Sequence, residues 1–141
     1  MIVNFYHLTD SPLERVLPNI AQSLLKGGEL LLVVCGESIL DRLDEQLWTY
    51  SAESFLPHGR ERPEEQPVLL SAVPDPVNGA RNIALADGQW REEALGFEKA
   101  YYFFDFSALD NARSLWRRLK TTPDVEARYW KQVDGKWVQG P

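Results

Sequence analysis

Polar and apolar positions alternate between two periods along the chain. Residues 2–8 (IVNFYHL) are β-branched and aromatic and predict a first strand. Ser11-Pro12-Leu13-Glu14 follows, with Ser at an N-cap, Pro at the first helical position and Glu three residues after Ser, the pattern of a capping box. Leu13, Leu17, Ile20 and Leu24 then recur at helical spacing, with Pro18 expected to kink the helix or delay its regular part and Gly27-Gly28 to end it. The run LLLVVC after Glu29 is apolar throughout, as in a strand buried on both faces. Leu40, Leu43 and Leu47 predict a second helix from about Ser38 to Thr49.

Beyond residues 59–66, a charged loop broken by proline, strands are predicted at 67–73, 81–86 and within 98–107. A last helix spans 108–120, with Ser107 and Asp110 as its capping pair, and residues 125–130 (VEARYW) form a final strand followed by Asp134-Gly135 and Trp137. The βαβ opening predicts a parallel sheet centre flanked by helices; the short links after His58 predict an antiparallel portion. The expected architecture is one α/β domain over residues 1–141, a Rossmann-like mixed sheet without a phosphate-binding loop.

Composition narrows the chemistry. The formal charge is −6, so the chain as a whole is a poor nucleic-acid binder. The charge is uneven: residues 109–141 hold seven Lys/Arg and four Asp/Glu, a net +3, which leaves −9 for the remainder. A basic C-terminal quarter on an acidic body suits an anionic partner, although on composition alone ordinary solvated helix charge is the better explanation. No apolar run reaches the ~18 residues of a membrane span, the N-terminus does not resemble a signal peptide, and the single cysteine, Cys35, excludes an internal disulfide; the expected compartment is the cytoplasm.

Catalytic motifs are scarce. Neither GxGxxG nor GxxxxGK[ST] occurs, and Thr9-Asp10-Ser11-Pro12 after the first strand lacks the glycines that let a backbone wrap phosphate. His7 and His58 are the only imidazoles, so a His7/His58/Asp10 metal site is a sparse ligand set, and no cofactor is expected. Cys35 reads as a buried structural thiol, and Asp44-Glu45 as solvated helix charge. Asp10, Cys35, Glu37 and His7 are all that a small α/β enzyme would have at the sheet's carboxyl edge.

One stretch departs from polar loop composition. Residues 43–58 read LDEQLWTYSAESFLPH, where large apolar groups follow the end of a helix. Leu43, Asp44, Glu45, Leu47 and Trp48, then Glu53, Ser54, Phe55, Pro57 and His58, resemble the signature of the chi subunit family of bacterial DNA polymerase III. NFYHL, the apolar strand after the first helix, Ala112-Arg113 with Trp116-Arg117 and Leu119-Lys120, and Tyr129-Trp130 extend the resemblance; residues 59–98 align loosely. It implies a Rossmann-like sheet and a non-enzymatic accessory subunit that links the clamp loader to the single-stranded-DNA-binding protein by gripping that protein's acidic, phenylalanine-ended C-terminal tail. It also implies a psi-type clamp-loader partner in many bacteria, and in some a repair helicase competing for the same surface.

Two surfaces follow from the residues. On the last helix Ala108, Ala112, Leu115 and Leu119 form a core stripe, and Leu109, Arg113, Trp116 and Lys120 a neighbouring one, flanked by Arg117. Arg113 or Arg117 suits a terminal carboxylate, Trp116 the wall of a phenyl pocket, and Lys120 and Lys131 the acidic residues upstream. The resemblance places tail-binding groups at Arg113, Trp116 and Arg117, but Leu109 stands where other members carry a further basic residue. The second surface is Trp48, Phe55 and Pro57, which the resemblance assigns to the psi-type subunit; His58 is expected to fix that loop by hydrogen bonding. Two other readings stay open: a small enzyme at the sheet edge, and direct single-strand DNA binding by the basic, aromatic C-terminal region.

Overall fold

A computed structural model of the chain describes residues 1–48 and 58–140. Seven strands form one sheet: β1 (Ile2–His7), β2 (Leu31–Val34), β3 (Val68–Ser71), β4 (Asn82–Leu85), β5 (Lys99–Phe104), β6 (Glu126–Val133) and β7 (Lys136–Gln139). Their spatial order is β3-β2-β4-β5-β1-β6-β7. Three helices, α1 (Leu13–Lys26), α2 (Glu37–Trp48) and α3 (Leu109–Lys120), flank it. The Rossmann-like α/β class expected from the pattern holds.

Strand parity divides the interior into two layers. Val3 and Phe5 of β1 and Tyr102 and Phe104 of β5 face α3, where Ala112, Leu115 and Leu119 close the core. Tyr6 of β1 and Phe103 of β5 face the other way, toward Leu17 and Leu24 of α1 and Leu40, Leu43 and Leu47 of α2. β2 is buried along its whole length, as its unbroken apolar run requires.

The structure corrects several local expectations. The antiparallel portion after His58 is confined to the β6–β7 hairpin; β3, β4 and β5 all join the parallel sheet. Links of this length return parallel strands because they run back over the α3 face of the sheet through turns and a short 3-10 helix (Glu92–Gly96) in place of a full helix. Asp134 (φ 52°) and Gly135 (φ 76°) make the two-residue hairpin turn, which needs left-handed φ at both central positions, so Trp137 lies in a strand.

Ser11 does not cap α1. Its backbone N–H donates to Gln132 Oε1 (3.0 Å), its hydroxyl accepts from Gln132 Nε2 (3.1 Å), and Pro12 occupies the N-cap. The helix runs through Pro18, which is buried within it. Gly28, at φ 77°, terminates it, and the Glu29 N–H reaches back to the Leu24 carbonyl (2.9 Å). Nor does Ser107 cap α3: Asp105 accepts from the Ser107 N–H (2.9 Å) to start a 3-10 turn (Phe106–Ala108), and α3 begins after it.

Candidate interaction face on the last helix

The amphipathic pattern of α3 decides what it shows to solvent. Ala112, Leu115 and Leu119 are buried, and Ala108 packs partly buried beside them. One step around the helix, Leu109 and Trp116 are half-buried while Arg113, Arg117 and Lys120 are exposed. The expected row of guanidinium, indole and ammonium therefore exists at the rim of the sheet.

Trp116 is held from below. Its ring stands edge-on to Phe5 (5.3 Å between centroids, 86°) and to Tyr129 of β6 (5.6 Å, 85°). Lys120 Nζ lies 5.1 Å from the indole centroid, a cation–π contact. Phe5 is fully buried and also meets Tyr102, Phe104 and Tyr129, so the indole rests on a fixed aromatic floor.

The cations of α3 differ in how they are used. Arg118 is taken up by Glu92, which also accepts from Trp90 Nε1 (3.0 Å). The Arg118 hydrogen bond holds the Glu92 carboxyl below its ordinary range, against a slight upward push from burial. Arg113 has no ion pair among the described residues, and Arg117 only a 3.4 Å contact to Ser114 Oγ. The charge of Arg113 is felt at the strand ends beneath it. Burial lowers the pKa of His7 and Arg113 lowers it further, while Asp105 opposes them. Burial raises Tyr129, and Arg113 counters it. His7 Nδ1 lies 3.3 Å from the Tyr129 hydroxyl, and the His7 ring stacks on Phe104 (4.9 Å, 15°). Lys131 is exposed two residues beyond Tyr129, on the same face of β6.

The carboxyl edge of the sheet, where doubly wound folds hold ligands, is different. Its crevice, about 430 Å³, has Glu14, Asp87 and Asp105 in its lining against one guanidinium, Arg42. Asp87 is already satisfied: it accepts from both Nη atoms of Arg91 (2.9 Å each), from the Gly36 N–H (3.0 Å) and from the Gln89 N–H (3.2 Å). Burial pushes its carboxyl up, but the Arg91 bonds and charge, with the two backbone donors, hold it below the usual value.

Of the residues named for a sheet-edge enzyme, Cys35 and His7 lie on opposite faces of the sheet. Cys35 is fully buried on the α1/α2 side, and its thiol is pushed up to about 11, first by burial and then by Asp87. Glu37 pairs with Arg60 (3.1 Å), and His7 lies on the opposite face. No group of three or more His, Cys, Asp or Glu among the described residues is placed to hold a metal ion.

Of the second predicted surface, Trp48 closes α2, and Phe55 and Pro57 lie outside the described residues. His58, just after them, is buried, with Nε2 3.0 Å from Asp44 Oδ1 and 3.2 Å from the Asp44 carbonyl. Asp44, read from the sequence as solvated charge, is therefore only partly exposed and pairs with His58. Gly59 then runs beside β3, bonded to Val68 and Leu70. Sequence reasoning also missed Glu92 and Gln132, whose partners Arg118 and Asp10/Ser11 lie 26 and 121–122 residues away and leave no local signal, and Asp87, whose partner Arg91 lies only four residues on.

The fold is a Rossmann-like α/β sheet without a phosphate-loop motif, and α3 sets exposed cations beside a half-buried indole. Residues 1–123 match the family model described as DNA polymerase III chi subunit, HolC. The chain belongs to that family, and its general role is that of a replication accessory subunit. No curated protein matches it. The family match covers α3 and ends before β6. No helix among the described residues is long and apolar enough to cross a membrane.

Proposed function

We propose that the chain is a non-catalytic subunit of the replicative DNA polymerase III holoenzyme that tethers the clamp loader to the single-stranded-DNA-binding protein by gripping the acidic C-terminal tail of that protein. The observation that carries this reading is the state of α3: among the described residues Arg113 has no ion pair and Arg117 only a contact to Ser114, beside an indole held on an aromatic floor. A terminal carboxylate takes two parallel hydrogen bonds from a guanidinium, and the last aromatic side chain lies against Trp116. Lys120 and Lys131 attract the acidic residues upstream, which makes binding weaken with salt. Contact with DNA is then indirect, and the protein works in the cytoplasm with the replication machinery.

The α2 end, Trp48 with Phe55 and Pro57, seats a psi-type subunit, or a repair helicase in its place. What supports this is the anchoring of the loop's far end by His58 on Asp44. A pull-down with Trp48→Ala that retained every clamp-loader partner would count against it. The deciding measurement for the main reading is calorimetry against the single-stranded-DNA-binding protein with and without its final few residues. Binding should vanish with the tail; equal affinity for both forms ends the proposal.

A further inference from the structure

On the opposite face of the sheet from α3, a groove of about 520 Å³ runs between α1 and the β6–β7 hairpin. Its floor is aromatic. Phe103, Tyr6 and Trp130 stack across β5, β1 and β6 (5.3 Å at 29°, then 6.2 Å at 16°), and Trp137 of β7 meets Tyr6 edge-on (5.0 Å, 77°). The ladder ends at half-buried Trp130, whose ring is fixed by its Nε1 donating to Asn4 Oδ1 (3.1 Å). The upper rim is fixed as well, because Gln132 Oε1 accepts from the Asp10 and Ser11 N–H groups (3.0 Å each).

Charge gives the groove a sign. Among the described residues Arg15 is the one charged residue in its lining, and it has no ion pair. In a chain of net charge −6, a lining without a carboxylate is a place where an anion meets little repulsion. The volume is within the range of pre-formed ligand clefts, and an aromatic ring can continue the ladder at Trp130. A nucleic-acid strand needs a cation for most of its phosphates, and a single arginine does not provide that.

We propose that this groove is a second peptide receptor, independent of α3, for an acidic segment that carries an aromatic side chain: the ring packs on Trp130 and Trp137, and a carboxylate pairs with Arg15. The probe is a synthetic acidic hexapeptide ending in Phe, titrated by calorimetry while indole fluorescence is followed. The wild-type chain is expected to bind two peptides. Arg15→Glu, at an exposed position without an ion pair, should leave the circular dichroism spectrum unchanged and weaken one of the two sites roughly 10- to 100-fold, the loss of one hydrogen bond to a charged group. Ser23→Trp, which fills the groove from α1, should remove the same site. Arg113→Ala should weaken only the other. A single site that is lost in Arg113→Ala and unchanged in Arg15→Glu overturns the groove and leaves the α3 reading standing. A single site lost only in Arg15→Glu keeps the groove and removes α3. Absence of any peptide binding, or binding of oligothymidylate in place of the peptide, overturns the groove as a peptide receptor.

Discussion

Arg91 and Arg113 carry the same group in opposite circumstances. Arg91, 19% exposed, is spent on Asp87, 6% exposed, and together with Gly36 they tie the ends of β2 and β4 into one network. Arg113 is exposed and has no ion pair among the described residues. Both lie near the upper rim of the sheet, so position alone does not separate structure from recognition. The difference lies in who supplies the counter-charge. Where the chain supplies it, the arginine is an internal brace. Where no described residue supplies it, as at Arg113 and Arg117, the guanidinium is open to a carboxylate from elsewhere, which is the role proposed for it above.

The comparison can be broken most severely from beneath. Phe5→Ala removes a fully buried ring that supports Trp116, and should cost about 3–5 kcal/mol in denaturant unfolding. A loss below about 1 kcal/mol would mean that the floor under Trp116 is not the packed layer described above.

Asp87→Asn comes next, at about 3 kcal/mol, since it leaves Arg91 without its charge partner. The effect depends on pH. The folded carboxyl titrates below its ordinary value of 3.8, so its stabilisation is present in full above that value. It is lost as pH falls through the folded-state pKa. The gap between wild type and Asp87→Asn should therefore close as unfolding is measured at progressively more acid pH, and a gap that stayed constant would remove Asp87 as a brace.

Arg113→Ala tests the other half of the comparison. Stability should move by less than about 0.5 kcal/mol, as for a surface site without partners. Affinity for an acidic peptide ending in Phe should fall by about 1.5–3 kcal/mol by calorimetry. A stability loss without an affinity loss would reverse the roles assigned to the two arginines. Lys120→Ala is the smallest effect expected. Its exposed ammonium contributes through the cation–π contact and through attraction of upstream acids, about 0.5–1 kcal/mol of affinity, and the difference from wild type should shrink as salt is raised from low to physiological concentration.

Much of this molecule is legible in its sequence, for reasons of period. The all-apolar run before Gly36 became the fully buried β2, and Leu40, Leu43 and Leu47 became the buried side of α2. The two stripes on α3 followed from residue spacing, which is why Arg113, Trp116, Arg117 and Lys120 emerged on one exposed face. The capping expectations at Ser11 and Ser107 failed because a short polar side chain takes the strongest partner within reach. For Ser11 that partner is Gln132, brought in by β6 from the far end of the chain.

What the sequence determined by itself is local: which segments are strands or helices, which side of each is apolar, and that no phosphate loop exists. Strand order, the parallel alignment of β3, β4 and β5, and the pairing of Asp44 with His58 were decided by tertiary structure. So was the choice among three arginines on one helix. Arg118 is claimed by Glu92 from a neighbouring 3-10 helix, while Arg113 and Arg117 are exposed and have no ion pair among the described residues. A charge is written in the sequence; whether it has a counter-charge depends on which distant segment the fold brings within a few ångströms.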